Sequence, residues 1–183
     1  MGRNLNMIPH NEFYFLRHGQ TDYNLHKIKI DHPADIPLND TGRGQALEIE
    51  PIIANLPVKA ICCSPMRRAV ETKEIAAARL AVPHIEIPDL GECTAIVWKE
   101  MPPLKEKAFQ IGPEPVLVFM QRVLRGMQQA LSLDGPVLII AHGGVHWALC
   151  SLMNIQGYDW ATDNCVPIHF NFKNGSWTAA RIN

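Results

Sequence analysis

Short apolar runs alternate along the chain with longer amphipathic ones. Residues 12–17 (EFYFLR), 58–64 (VKAICCS), 84–87 (HIEI) and 136–142 (PVLIIAH) are too short for helices and predict strands. Between them, GQALEIEPIIANL (44–56) has helical spacing but carries Pro51, which predicts a kink or an early stop. The Gly- and Asn-rich segment before it, LNDTGRGQA (38–46), reads as a turn. SPMRRAVETKEIAAARL predicts a helix from residue 64, with the Ser64 hydroxyl as cap and Pro65 in the first turn. EPVLVFMQRVLRGMQQALS (114–132) predicts a helix that turns Val116, Phe119, Met120, Val123, Leu124, Met127 and Leu131 to one face, and residues 145–154 predict another. Pro102, Pro103, Gly112 and Pro113 make 93–113 irregular, a loop or short lid. VPIHFNFKNGSWTAARI closes the chain as a hairpin around Asn174-Gly175. Strands alternating with helices predict an α/β fold, a three-layer sandwich with a mostly parallel central sheet, helices on both faces and a C-terminal β-hairpin. A single domain over residues 1–183 is expected from the length.

Composition narrows the partners. A content of 47% hydrophobic and 19% charged residues suits a folded chain, and a net charge of -1 gives no general attraction for nucleic acid or an anionic membrane. Recognition of an anion must therefore come from a local cluster. Five cysteines without regular spacing argue against both a disulfide framework and structural zinc, so no metal or other cofactor is expected. The N-terminal MGRNLNMIPHNEF has no apolar leader and the longest apolar run is far short of a membrane span, which together predict a cytoplasmic protein.

In open α/β folds the site lies beyond the carboxyl ends of the strands. Three predicted strands end there in polar chemistry: Arg17-His18-Gly19, Ser64 to Arg68, and His142-Gly143-Gly144. Two imidazoles and one or more guanidiniums at one sheet edge suit a dianion, with arginine as the bidentate partner of phosphate oxygens. A neutral imidazole is also a competent nucleophile toward phosphorus. On an ideal strand Arg17 and His18 face opposite ways, so both reach one phosphate only if the strand has already broken at the Gly19 turn. Two rival chemistries share these segments. Cys62 to Arg68 has the Cys-x5-Arg spacing of a thiolate phosphatase, but it lacks a glycine to curl the loop and Pro65 removes an amide donor. His142 and His146 have the i, i+4 spacing of a zinc helix, without its catalytic glutamate.

The run Leu16 to Asn24, Leu-Arg-His-Gly-x-Thr-x-x-Asn, resembles the signature of the histidine phosphatase superfamily, the phosphoglycerate mutase-like proteins. LNDTGRGQA, SPMRRAVET, Leu90-x-Glu92 and the strand ending in AHGG resemble that family's further motifs, in family order, through most of the chain. The resemblance implies that His18 is the nucleophile and forms a phosphohistidine, that Arg17, Arg68 and His142 hold the phosphoryl oxygens, and that Glu92 donates a proton to the leaving oxygen. Thr21 and Asn24 match positions that bind phosphate or order the loop. Arg68, not Arg67, occupies the family position directly before the alanine, which leaves Arg67 as a surface charge. The stretch after Glu92, CTAIVWKEM, keeps Trp98 but lacks the family's glycines, so Glu100 is the reserve candidate for the acid.

Few residues separate Glu92 from His142 beyond the long helix, too few for a large mutase cap. Phosphomonoester hydrolysis is expected ahead of mutase-type transfer or a phosphate-binding pseudoenzyme. A small phosphorylated molecule is the expected substrate, and the compact form leaves room for a phosphorylated protein. Specificity is expected from 93–113 and from the Leu25 to Ile36 loop, where Lys27, Lys29 and His32 either contact a second anionic group or face solvent, the latter expected first.

Overall fold

The structure, a computed structural model, describes residues 7–28, 35–101, 114–155 and 162–183. The first predicted strand forms at Phe13–Arg17 (β1), where side chains alternate to two covered faces and all but the last are buried. A single helical turn at Asp22–Leu25 (α1) and the helices Asp40–Glu48 (α2) and Glu50–Ile53 (α3) lead to Ala60–Cys63 (β2). Next come Arg67–Ala76 (α4), His84–Glu86 (β3), a 3₁₀ turn at Pro88–Leu90, Ala95–Glu100 (α5) and Glu114–Ala130 (α6). Val137–Ala141 (β4), Gly143–Leu152 (α7), Pro167–Lys173 (β5) and Ser176–Arg181 (β6) complete the chain.

The strands form one sheet in the order β3-β2-β4-β1-β5-β6. The first four are parallel, and β5 and β6 add an antiparallel hairpin. Its turn, Asn174-Gly175, has positive φ at both residues, as the hairpin signal predicts. This is the α/β sandwich that the sequence pattern implies. Phe13, Phe15, Val137 and Ile139 point to one face, where they join Val116, Val123 and Met127 of α6 and Val145 and Leu149 of α7. Tyr14, Leu16, Leu138 and Ile140 point to the other and pack with Ala46, Ile53, Ala69 and Ala76 of α2, α3 and α4. Each large side chain so buried contributes about 1.5–3 kcal/mol. Among the described residues, no helix is long and apolar enough to cross a membrane.

Three local expectations need correction. The segment 38–46 is not a turn but the start of α2, capped by the Asn39 side chain, which accepts from Gly42 N at 2.9 Å. Gly42 serves close approach there: a Cβ would stand 2.6 Å from the backbone nitrogen of Gln20. Ser64 does not cap α4; that position is Met66, which makes no side-chain cap bond. Part of the expected lid is regular, because Thr94 accepts from Val97 N and starts α5. Its remainder, 102–113, lies outside the described residues, as do Lys29 and His32. Pro51 acts as expected: α2 ends at Glu48, and the proline falls in the first turn of a new helix.

Candidate active site

The strand order brings the three polar strand ends together. β4 lies between β2 and β1, with Arg17 in register with Ala141 and Cys63 with Ile140. Ser64, His142 and Arg17-His18 therefore leave the sheet side by side at its carboxyl edge. His18 N still bonds Ala141 O at 3.0 Å, so the chain departs the ladder only at Gly19. Gly19 N is then taken by Thr72 Oγ1 of α4 at 3.0 Å, and Asn164 holds His18 O at 2.7 Å. With the turn beginning at Gly19, the two side chains reach different neighbours at one sheet edge. His18 meets Arg68 from α4, whereas the Arg17 guanidinium runs within 3.6 Å of the Cβ position of Gly143 on α7.

His18 is 2% exposed. Its Nδ1 lies 2.7 Å from Gly19 O, and a carbonyl only accepts, so Nδ1 carries the proton. Nε2 keeps its lone pair and accepts from Arg68 Nε at 3.1 Å. Burial holds the imidazole well below its ordinary pKa, and the Arg68 and Arg17 charges add to this, so the ring is neutral at neutral pH. His142 is likewise held down by burial and then by Arg68, His18, Arg17 and Arg122; its ring centroid is 5.1 Å from that of His18. Its Nε2 contacts Ser64 Oγ at 2.8 Å, and its buried Nδ1 has no partner among the described residues. Arg17 Nη1 donates to Thr162 O at 2.7 Å, and the buried Arg17 Nε likewise has no partner among the described residues. Buried polar atoms in that state are costly unless a ligand satisfies them.

Glu92 follows the 3₁₀ turn. Its Oε1 accepts from Cys93 N at 2.9 Å and from Gly144 N at 3.1 Å, so this carboxylate fills the first turn of α7, where His142 makes no side-chain cap bond. Gly144 is required for that contact, because a Cβ would overlap Glu92 Oε1 and stand 2.7 Å from Cys93 Sγ. The Glu92 charge acts on both Arg17 and Arg68. Glu100 is on the last turn of α5; among the described residues its buried Oε2 has no partner and it makes no hydrogen bond to these groups. Trp98, 43% exposed, puts the edge of its indole 3.6 Å from the Gly143 Cβ position, at the rim.

The remaining expected residues divide clearly. Arg68 is 5% exposed at the site, whereas Arg67 lies on the surface paired with Glu71 at 2.7 Å. Thr21 and Asn24 form a capping box on α1, and Asn164 Nδ2 also approaches Asn24 Oδ1 at 3.5 Å. Asn24 Nδ2 has no partner among the described residues. Lys27 is exposed. Cys62 and Cys63 are fully buried and their thiols are pushed up to about 12 by burial, which removes the thiolate that a cysteine mechanism needs. His146 packs between Phe15 and Phe170.

Sequence reasoning passed over four residues: Thr72 and Asn164, which brace the His18 turn, Ser64 as a partner of His142, and Arg122. Arg122 reaches from α6 to donate to Asp89 O and Gly91 O at 2.9 Å and Glu92 O at 3.2 Å, so one guanidinium fixes the turn that presents Glu92. Thr72 and Ser64 were legible as part of SPMRRAVET. Arg122 and Asn164 had no local signal.

Residues 13–183 match the histidine phosphatase superfamily, branch 1. The chain belongs to that family. Among curated relatives, it is 28% identical over 192 residues to the agropine synthesis reductase of Rhizobium rhizogenes, covering 91% of this chain but 41% of that protein. The chain thus spans less than half the length of that relative. It is 33% identical over 153 residues to the uncharacterized phosphatase PhoE of Bacillus subtilis, covering 79% of this chain and 77% of the relative. A putative alpha-ribazole-5'-P phosphatase from Escherichia coli has the same fold, with a TM-score of 0.71 at 19% identity over 94% of this chain and 96% of that one.

Proposed function

We propose that the protein is a phosphatase that hydrolyses a small phosphomonoester through a phosphohistidine on His18. The observation that carries this reading is the state of His18: a buried, neutral imidazole, protonated on Nδ1 by its bond to Gly19 O, with the Nε2 lone pair directed to Arg68. In the proposed reaction Nε2 attacks phosphorus as the bond to the leaving oxygen breaks. Arg68 turns from Nε2 to a phosphoryl oxygen, and Arg17 Nε and His142 supply further donors. Glu92, a carboxylate in the free site, takes up a proton from solvent as the substrate dianion binds and gives it to the departing alkoxide; it then takes one from the water that attacks the phosphohistidine, which releases phosphate and restores Nε2. The chain's own charges supply the electrostatic stabilisation. Trp98 at the rim gives the leaving group an apolar surface.

The test is turnover of an aryl phosphate by wild type and His18→Ala, with rapid quench to trap the phosphoenzyme. Wild type should form an acid-labile, base-stable phosphoprotein, and the variant should form none and lose nearly all turnover. An active His18→Ala protein would overturn the assignment.

A further inference from the structure

His142 presents a proton-placement problem that its neighbours resolve. A neutral imidazole has one N–H, and the two ring nitrogens stand in different company: Nε2 is 2.8 Å from Ser64 Oγ, and the buried Nδ1 has no partner among the described residues. If the proton were on Nε2, it would go to Ser64 and leave a bare lone pair on Nδ1. That lone pair could only repel a phosphoryl oxygen. The Ser64 hydroxyl accepts from Met66 N at 3.3 Å, and among the described residues the one acceptor within reach of its own proton is Nε2, so a proton on Nε2 would leave the serine's proton without a partner. Ser64 is 0% exposed and held by Ser64 N to Ile140 O at 3.0 Å, so water does not compete for that proton and the serine backbone is pinned to β4.

We infer that Ser64 is a positioning residue that donates to His142 Nε2, fixes the imidazole as its Nδ1–H tautomer and so turns the unpartnered Nδ1 into a hydrogen-bond donor for a phosphoryl oxygen. The bond that the hydroxyl accepts from Met66 N and its donation to His142 are compatible, because one uses an oxygen lone pair and the other the proton. The inference deepens the proposed phosphatase reading and rests on it only for the identity of the ligand as a phosphoryl group.

Nitrogen-15 NMR of histidine-labelled protein reads the tautomer directly, with His142 assigned by comparison with His142→Asn. Wild type should show His142 with a protonated, pyrrole-type Nδ1 and a pyridine-type Nε2. Ser64→Ala should move the proton wholly or partly to Nε2 and weaken binding of inorganic phosphate by about 10- to 100-fold, the effect of one hydrogen bond to a charged group. Ser64→Thr, which keeps the hydroxyl, should restore both. A wild-type His142 protonated on Nε2 overturns the inference without recourse to any variant. So does a Ser64→Ala protein that keeps Nδ1–H and binds phosphate as tightly as wild type. A protein that meets the tautomer and phosphate expectations yet forms no phosphohistidine sinks the hydrolase reading and upholds the role of Ser64. A working phosphatase indifferent to Ser64→Ala does the reverse.

Discussion

Two buried histidines tie the stability of this fold to pH in a way that can be worked out in advance. His18 is 2% exposed and His142 0%, and both are held well below the ordinary imidazole value, by burial first and by the Arg68 charge next. In the unfolded chain each returns to about 6.5. Below that value the unfolded chain binds a proton that the folded protein refuses. Stability therefore falls as the pH falls, by about 1.4 kcal/mol per pH unit for each imidazole, until the depressed folded values are reached. The pair costs about 2.7 kcal/mol per pH unit in that window and nothing above about pH 7.5. Against a total stability of about 5–15 kcal/mol, one or two pH units matter. Urea unfolding followed by tryptophan fluorescence, repeated at half-unit steps below pH 7.5, gives the slope. His142→Asn and His18→Asn should each flatten it by about 1.4 kcal/mol per pH unit, since all other groups are common to the proteins compared. A slope unchanged by either substitution would mean that the histidine binds its proton alike in the folded and unfolded chain, and would refute the claim that burial holds it neutral.

Three further outcomes follow from particular contacts. Gly144→Ala drives a methyl group into Glu92 Oε1, so kcat for an alkyl phosphate should fall by about 10² or more while an aryl phosphate with a good leaving group loses far less; equal losses would deny Glu92 its proton-donor role. Arg67→Ala should leave turnover within twofold and stability within about 0.5 kcal/mol, because its ion pair with Glu71 is exposed, whereas Arg68→Lys should lose at least tenfold in kcat/KM; comparable effects would reverse the assignment. Arg122→Ala releases three backbone carbonyls around Glu92 and should cost about 2–3 kcal/mol, read as a fall in Tm of several degrees together with a loss of kcat, and an unchanged Tm would refute the bracing role.

What could be foreseen in the chain was what local pattern encodes. The strands before His18 and His142 announce themselves because burial on both faces demands continuous apolar runs, and the helix at 114–130 does so because one covered face imposes its spacing. The start of α2 was missed for a physical reason. Gly42 and Gly44 look like turn residues, yet Gly42 is there so that the helix backbone can lie against Gln20, a demand set by another segment.

The same limit explains which parts of the candidate site were visible. His18, Arg68 and His142 stand at strand ends or helix starts in recognisable company, but the groups that fix their states act across the fold: Asn164 on His18 O over 146 positions and Arg122 on Glu92 O over 30. Ser64 shows the ambiguity most sharply. A hydroxyl just before a helix satisfies the rule for a cap, and the sequence offers no reason to prefer another use. Only the placement of β4 between β2 and β1 puts His142 Nε2 2.8 Å from that hydroxyl. The helix starts two residues further on, at a cap position held by Met66, whose side chain makes no cap bond, and Ser64 stands at the sheet edge beside His142. A site built on strand ends gathers polar side chains at that edge, and local cap rules do not anticipate it.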